Sequence, residues 1–270
     1  MPTPPSPAIL RARLAAAAAP AGRHGTLAFD DPLLAAHLPG GGLMLGALHE
    51  ILADGMEAET GALAAAFAAC LLARLLARDA AARPVIWIAG TTDLYPPGLA
   101  AYGLDPARLL LAQGSSDALI LGAAEAALRD GTAAAVVAEA GGFPRLAGRR
   151  LMLAAQAGGS TGFVLRRRPP PLAQERLAQE RLAQDGRRAV AGQDGVAAAT
   201  RWRLAPAPSV PQGREPGAVC WQVTLLHARG GRPGAWLLRL DEGGDDAPQA
   251  LRVVAALGGA SGGARQRRRA

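Results

Sequence analysis

Apolar and polar positions alternate in blocks along the first two thirds of the chain. Short apolar runs without period-two alternation, such as residues 85–88 and 134–138, predict strands buried on both faces. Between residues 61 and 79, apolar side chains recur at spacings of three and four, which predicts a helix with one buried face. The full set comprises strands over 43–52, 85–88, 108–112, 134–138 and 162–165, and helices over 61–79, 96–103, 119–129 and 144–157. Strands that alternate with helices through short connections predict an α/β fold, with a mostly parallel central sheet and helices on both faces.

The texture changes after residue 165. Three arginines and three prolines are followed by a five-residue repeat, LAQER LAQER LAQDG, over 172–186. Such a period turns by about 140° per repeat on a helix, so the repeated leucines cannot share one face. The repeat is therefore interpreted as an exposed helix or a flexible spacer, and the prolines that follow extend a predicted linker over 169–217.

The last quarter of the chain has the pattern of a β-rich unit. Residues 219–228 alternate in polarity, a Gly/Pro turn follows, and 235–240 returns, which predicts a hairpin. A third strand is predicted over 250–257. The predicted organisation is an N-terminal helical arm (1–26, with a helix over 8–18), a core (27–168), the linker (169–217), a small C-terminal β extension (218–258) and a basic disordered tail (259–270).

All 29 basic residues are arginines, and the chain contains no lysine. The net charge is +7, and the surplus lies after residue 168, where 15 arginines face nine acidic residues. Such a distribution predicts an acidic partner, nucleic acid or protein, although a basic tail can also serve only solubility. The candidate contacts are Arg166, Arg167, Arg168, Arg265, Arg267, Arg268 and Arg269. Trp202 is a candidate for stacking on a base, whereas the core is the simpler place for Trp221 and Trp236.

Cysteine and histidine patterns predict neither a disulfide nor a metal site. Cys70 and Cys220 are far apart in sequence, and the four histidines have no ligand spacing. This usage is typical of a reducing cytoplasm. His49 and Glu50 are adjacent on a strand and should point to opposite faces, so a helix-entry role or a core hydrogen bond is favoured over acid–base chemistry.

The segment between the first predicted strand and the first long helix stands where nucleotide-binding α/β proteins hold phosphates. A phosphate loop needs glycines, a lysine on the phosphates and a serine or threonine on magnesium. Here the residues are Asp54, Gly55, Glu57, Glu59, Thr60 and Gly61, with no lysine to complete the motif. Each carboxylate would repel a phosphate by about 1 kcal/mol at ~4 Å even in water. The segment is interpreted as a degenerate phosphate loop that caps its own helix, with no catalytic residue, metal or cofactor predicted.

Several segments together resemble the ImuA family, whose members are described as RecA-like or SulA-like. They are LPGGGLMLGALHEIL (38–52), VIWIAGTTDLYPPGLAAYGLDPARLLLAQ (85–113), the helix at 117–130, AAVVAEAGG (134–142), TRWRLAPAPS (200–209) and GGRPGAWLLRLDE (230–242). The resemblance implies a RecA-like core over 27–168. It also implies that the catalytic glutamate of RecA is replaced here by Gly90-Thr91-Thr92, and that its magnesium-binding aspartate falls near Ala138 or Glu139.

The resemblance implies a role in SOS-induced, error-prone DNA synthesis past lesions. The expected partners are ImuB, a polymerase-like protein that contacts the sliding clamp, an error-prone replicative-type polymerase, and RecA as a further candidate. The expected location is the cytoplasm, at the nucleoid, without a membrane. Three alternatives stay open: a SulA-like inhibitor of the division GTPase, a DNA-stimulated ATPase with an atypical site, and direct DNA binding through the basic tail.

Overall fold

The computed structural model describes residues 24–54, 57–90, 93–166, 197–212, 215–241 and 250–257. Its strands are β1 (Thr26–Ala28), β2 (Gly42–Met44), β3 (Leu48–Ala53), β4 (Val85–Ala89), β5 (Leu109–Gln113), β6 (Ala135–Ala140), β7 (Thr161–Arg166), β8 (Thr200–Gln212), β9 (Glu215–Ala228), β10 (Gly234–Asp241) and β11 (Ala250–Leu257). Its α-helices are α1 (Pro32–Ala35), α2 (Glu57–Ala77), α3 (Pro96–Ala100), α4 (Asp117–Asp130) and α5 (Arg145–Gly158). The helix predicted over 8–18, the repeat at 172–186 and the tail from 259 lie outside the described residues.

A nine-stranded sheet in the order β11-β10-β9-β8-β3-β7-β6-β4-β5 forms the centre of the fold. The strands from β8 to β5 in this order pair in parallel, and β8 to β11 pair antiparallel. A separate pair, β1 and β2, is antiparallel. The predicted α/β class with a mostly parallel sheet is confirmed for strands β3 to β7.

Successive residues of the parallel strands supply two different cores. Trp87 belongs to a cluster with Phe67 of α2, whereas the next residue, Ile88, packs with Leu128 of α4 and Leu151 of α5. Because side chains alternate across a strand, the two clusters lie on opposite faces of the sheet. We call the α2 side face A and the α4–α5 side face B. Helices therefore cover both faces, as the pattern predicts.

The prediction of a linker up to residue 217 is wrong for β8 and for the start of β9. Residues 49–53 of β3 pair with residues 200–204, which inserts β8 into the central sheet. Beyond Leu204 the β3 side of β8 is free of that pairing, so Pro206 and Pro208 lie where a missing N–H breaks no ladder bond with β3. These prolines are typical of a linker, but here they lie in a part of β8 that does not pair with β3.

Two boundaries in the first half also differ from the predictions. The predicted strand 43–52 is split into β2 and β3 by a turn at residues 45–47, where Gly46 has a left-handed φ of 60°. An alanine Cβ at this position would lie 2.8 Å from Cγ of the exposed His24 side chain, which would have to move, and the left-handed φ itself favours glycine. Helix α2 begins at Glu57, four residues earlier than the periodicity indicates.

Candidate functional site

The junction between β3 and α2 is much shorter than predicted. Strand β3 ends at Ala53 and α2 begins at Glu57, so only residues 54–56 connect them. Asp54 is exposed, and its backbone N–H donates to the carbonyl oxygen of Leu204 at 2.7 Å. Gly55 lies outside the described residues. The predicted loop is therefore wrong beyond residue 56, because the remaining candidate residues belong to α2: Glu57, Glu59, Thr60 and Gly61.

The length of this junction decides what it can hold. A phosphate loop of the GxxxxGK[ST] type uses a run of backbone N–H groups between strand and helix to surround the phosphates. Three connecting residues, the first of them an aspartate, are fewer than that run contains. No lysine exists anywhere in the chain to neutralise a bound phosphate.

A buried ion-pair cluster joins the three central strands on face B. The Glu50 carboxylate is 1% exposed and accepts from Nη1 of Arg166 at 3.0 Å and from Nε of Arg201 at 2.6 Å. Arg166 also donates to the carbonyl oxygen of Gly141 at 3.3 Å and lies over the ring of Phe143. A buried carboxylate is tolerated when it is paired and hydrogen-bonded on both oxygens. The cluster therefore locks β7 and β8 onto β3.

The charge run at residues 166–168 gave only a partial signal for this cluster. Arg166, a predicted contact for an outside partner, has internal partners instead. The role of Glu50 was missed, because its partners lie 116 and 151 residues away in sequence. Arg167, Arg168, Arg265, Arg267, Arg268 and Arg269 lie outside the described residues, so their proposed contacts stay predictions.

His49 occupies the interior of face A, opposite to Glu50. Its Nδ1 lies 2.7 Å from Oγ1 of Thr200, and its Nε2 lies 2.9 Å from the carbonyl oxygen of Met44. A carbonyl can only accept, so Nε2 carries the proton and Nδ1 accepts from the threonine hydroxyl. Complete burial lowers the pKa of His49 to about 4. The predicted core hydrogen bond is confirmed, and His49 stays neutral at physiological pH.

Trp202 is fully buried, so the prediction that it stacks on a base is wrong. Its ring packs 6.3 Å from Phe29 and 5.8 Å from Phe67, measured between centroids, and its Nε1 donates to Oγ1 of Thr200 at 2.7 Å. Trp221 and Trp236 are buried in the same cluster, as predicted. Arg201 and Arg203 flank Trp202 in the sequence, but because side chains alternate along a strand they point to the opposite face of the sheet.

Other polar side chains also have structural partners. Glu139 is buried and accepts from Nε1 of Trp87 at 2.7 Å. Ser116 caps α4 by accepting from the N–H of Leu119 at 3.4 Å. Within the described ranges, no three His, Cys, Asp or Glu side chains come together as a metal site. Burial raises the pKa of the Cys70 thiol to about 12, which makes it unreactive.

A groove of about 390 Å³ lies on face B between α4 and α5. Ala118, Leu121, Gly122 and Ala147 supply its apolar part, and Asp117, Glu125 and Arg150 its charges. The Asp117 carboxylate accepts from the N–H groups of Gly141 and Gly142, and Glu125 pairs with Arg150 at 2.6 Å. The charged side chains of the groove are thus already paired within the protein.

These features define a mostly parallel α/β protein in which three residues connect β3 to α2 and the buried Glu50 is paired on both oxygens. The chain is 40% identical over 234 residues to Protein ImuA of Caulobacter vibrioides strain NA1000 / CB15N, across 86% of this chain and 89% of that protein. Protein ImuA of the strain ATCC 19089 / CB 15 gives the same values. The chain therefore belongs to the ImuA family.

The chain was also compared with family models and with solved structures. No family model matches the chain. The crystal structure of SulA from Pseudomonas aeruginosa is 28% identical, covers 44% of this chain and 96% of its own, and has a TM-score of 0.37. In the part of the chain that the structure describes, no helix combines the length and the apolar character needed to cross a bilayer.

Proposed function

We propose that this chain is a non-catalytic accessory protein of SOS-induced, error-prone translesion DNA synthesis. Family membership supports the proposal, because the match to Protein ImuA extends over 89% of that protein. In this role the chain binds ImuB, and RecA and an error-prone replicative-type polymerase are further partners. It acts in the cytoplasm, at the nucleoid.

The chain performs this role without a bound nucleotide. The observation that carries this step is the three-residue connection from β3 to α2 in a protein without lysine. A nucleoside triphosphate would meet neither a cradle of backbone N–H groups nor an ammonium group there. Glu139, at the position implied for a magnesium ligand, is held by the indole of Trp87. The core is thus a degenerate RecA-like ATPase that serves as a binding scaffold.

Co-purification with ImuB tests the adaptor role. The tagged full chain is expected to retain ImuB equally well with added ATP and after apyrase has removed all nucleotide. Tagged chain carrying Leu153→Ser, an exposed position on α5, serves as the matched control for non-specific capture through an apolar surface. A complex that dissociates when ATP is removed, or no complex under any condition, would contradict the proposal.

Equilibrium binding of a fluorescent ATP analogue tests the absence of a nucleotide site directly. We expect no saturation at analogue concentrations up to about 1 mM, with or without magnesium. A Kd above that value corresponds to less than about 4 kcal/mol of binding free energy, which is the weak binding expected without a phosphate loop. Magnesium-dependent binding below that concentration would revive the ATPase alternative. This readout is independent of ImuB, so the two parts of the proposal can fail separately.

A further inference from the structure

The central sheet has two edges, β11 and β5, and among the described residues they are protected differently. At the β11 edge, the backbone N–H of Val253 donates to Oδ2 of Asp31 at 2.9 Å. The side chain of Arg252, also on β11, is 67% exposed and adds charge. A charged side chain and an occupied N–H are the usual means by which a protein prevents another strand from pairing with an edge.

At the opposite edge, β5, the described residues supply no such protection. Its five residues, LLLAQ, contain no charge and no proline. Leu110 and Leu111 are each 54% exposed, and because they are successive residues they lie on opposite faces of the sheet. An uncharged, leucine-rich edge strand is an open template for a further strand.

The backbone of β5 shows which groups are open. Strand β5 pairs with β4 in parallel, and the N–H of Gly114 donates to the carbonyl oxygen of Ala89. Because the hydrogen-bonding direction alternates along a strand, Leu110 and Ala112 also direct their backbone groups toward β4. Leu109, Leu111 and Gln113 then direct theirs outward, where no other described strand pairs with β5.

We propose that the occupant of this edge is β5 of a second copy of the chain, paired antiparallel about a two-fold axis at Leu111. The outward-directed residues are symmetric about that position, so Leu111 pairs with its own copy and Leu109 with Gln113 of the other. Leu110 lies opposite Ala112, and no charge faces a like charge. The nearby Arg108 is already bound to Asp79 at 3.0 Å within its own subunit. The edge is therefore self-complementary, as a two-fold interface requires.

A five-residue strand buries less surface than the ~800 Å² per partner of a standard interface. We therefore expect a dimer of moderate stability, with a Kd on the order of 10 µM. Sedimentation velocity of the full chain from about 1 µM to about 300 µM should show a monomer–dimer equilibrium with that midpoint.

Variants at similarly exposed apolar residues locate the interface. Leu111→Arg should raise Kd at least tenfold, because it places two guanidinium groups opposite each other on the axis. Leu153→Arg, at a leucine 53% exposed on α5, and Val254→Arg, at a valine 45% exposed on β11, should leave Kd unchanged. Circular dichroism verifies the fold of each variant. A chain that stays monomeric throughout, or a dimer that Leu111→Arg does not weaken, would overturn the proposal.

Disulfide formation tests the register itself. Leu111→Cys should form an interchain disulfide under mild oxidation, since a hydrogen-bonded antiparallel pair holds its Cα atoms ~5.5 Å apart, within disulfide range. Gln113→Cys lies away from its own copy and should stay reduced. The native Cys70 and Cys220 are buried, which keeps the background low. Equal cross-linking of both cysteine variants would reject β5–β5 pairing. The pairing would also be rejected if the dimer were lost on deletion of residues 1–23 but were insensitive to Leu111→Arg.

Discussion

At the scale of single residues, His49 makes folding sensitive to acid. Its pKa is about 4 in the folded protein and 6.5 when exposed, because burial disfavours the imidazolium. Between these values the unfolded chain binds one more proton than the folded chain, so stability is lost as the pH falls through this window. The His49 contribution to the loss amounts to about 3 kcal/mol at full protonation.

Urea unfolding between pH 7.5 and 4 measures this effect. His49→Asn, which does not titrate, should be less stable at neutral pH but should lose less stability toward pH 4 than the parent chain. His227→Asn is the matched control, because its pKa is also lowered by burial, yet the residue is only half-buried. A His49→Asn variant with the same pH slope as the parent would contradict the assignment.

Arg201 and Arg129 both pair with a glutamate, but in different surroundings. Arg201→Gln should lower the free energy of unfolding by about 3–5 kcal/mol, because it leaves Glu50 buried with one partner fewer. Arg129→Gln removes a pair to Glu125 in which the arginine is 60% exposed, and should cost about 0.5 kcal/mol or less. Equal losses of unfolding free energy in the two variants would contradict the strong contribution assigned to the buried Glu50 cluster.

At the scale of elements, the spacing of apolar residues predicts those helices and strands whose stabilising contacts are local in sequence. Helix α4 was predicted correctly because its apolar stripe, its Ser116 cap and its terminal Gly131 are all encoded nearby in sequence. Strand β8 was missed because its position depends on pairing with β3, about 150 residues away, and leaves no local trace. The same applies to the site: the absence of lysine was visible in the sequence, whereas the partners of Glu50 and the burial of Trp202 were not.

Two glycines at the α4–α5 pair should respond oppositely to alanine. Gly122 lies in α4 with open space around its would-be Cβ, so Gly122→Ala should stabilise the protein by about 0.5–1 kcal/mol. Gly158 ends α5 against α4, and a Cβ there would collide with the carbonyl oxygen of Leu128. Gly158→Ala should therefore cost about 1–3 kcal/mol. Thermal unfolding of both variants measures the difference. Equal shifts of Tm would mean that Gly158 does not pack against the carbonyl oxygen of Leu128.

At the scale of the whole molecule, one hydrophobic cluster spans both halves of the sheet. It includes Val137 of the parallel half, Phe67 of α2, and Trp202, Trp221 and Leu251 of the antiparallel half. The sequence predicted a core that ends at residue 168 and a separate C-terminal unit. The shared cluster instead argues that the two halves stabilise each other, because α2 would lose much of its apolar cover without β8 and β9.

Because the two halves share one cluster, we predict that residues 1–168 do not fold alone. Truncation would expose Phe67, leave β3 as a second open edge of the sheet and remove Arg201 from the buried Glu50. We expect the fragment to be aggregation-prone and to lack a cooperative urea transition, while the full chain unfolds in a single step that tryptophan fluorescence and circular dichroism report together. Trp87 lies in the parallel half of the sheet and Trp221 in the antiparallel half. A chain with Trp87 as its single tryptophan therefore reports the unfolding of the parallel half, and a chain with Trp221 as its single tryptophan reports that of the antiparallel half. Transitions that differ between such chains, or a soluble, cooperatively folding fragment, would show instead that the two halves are independent domains.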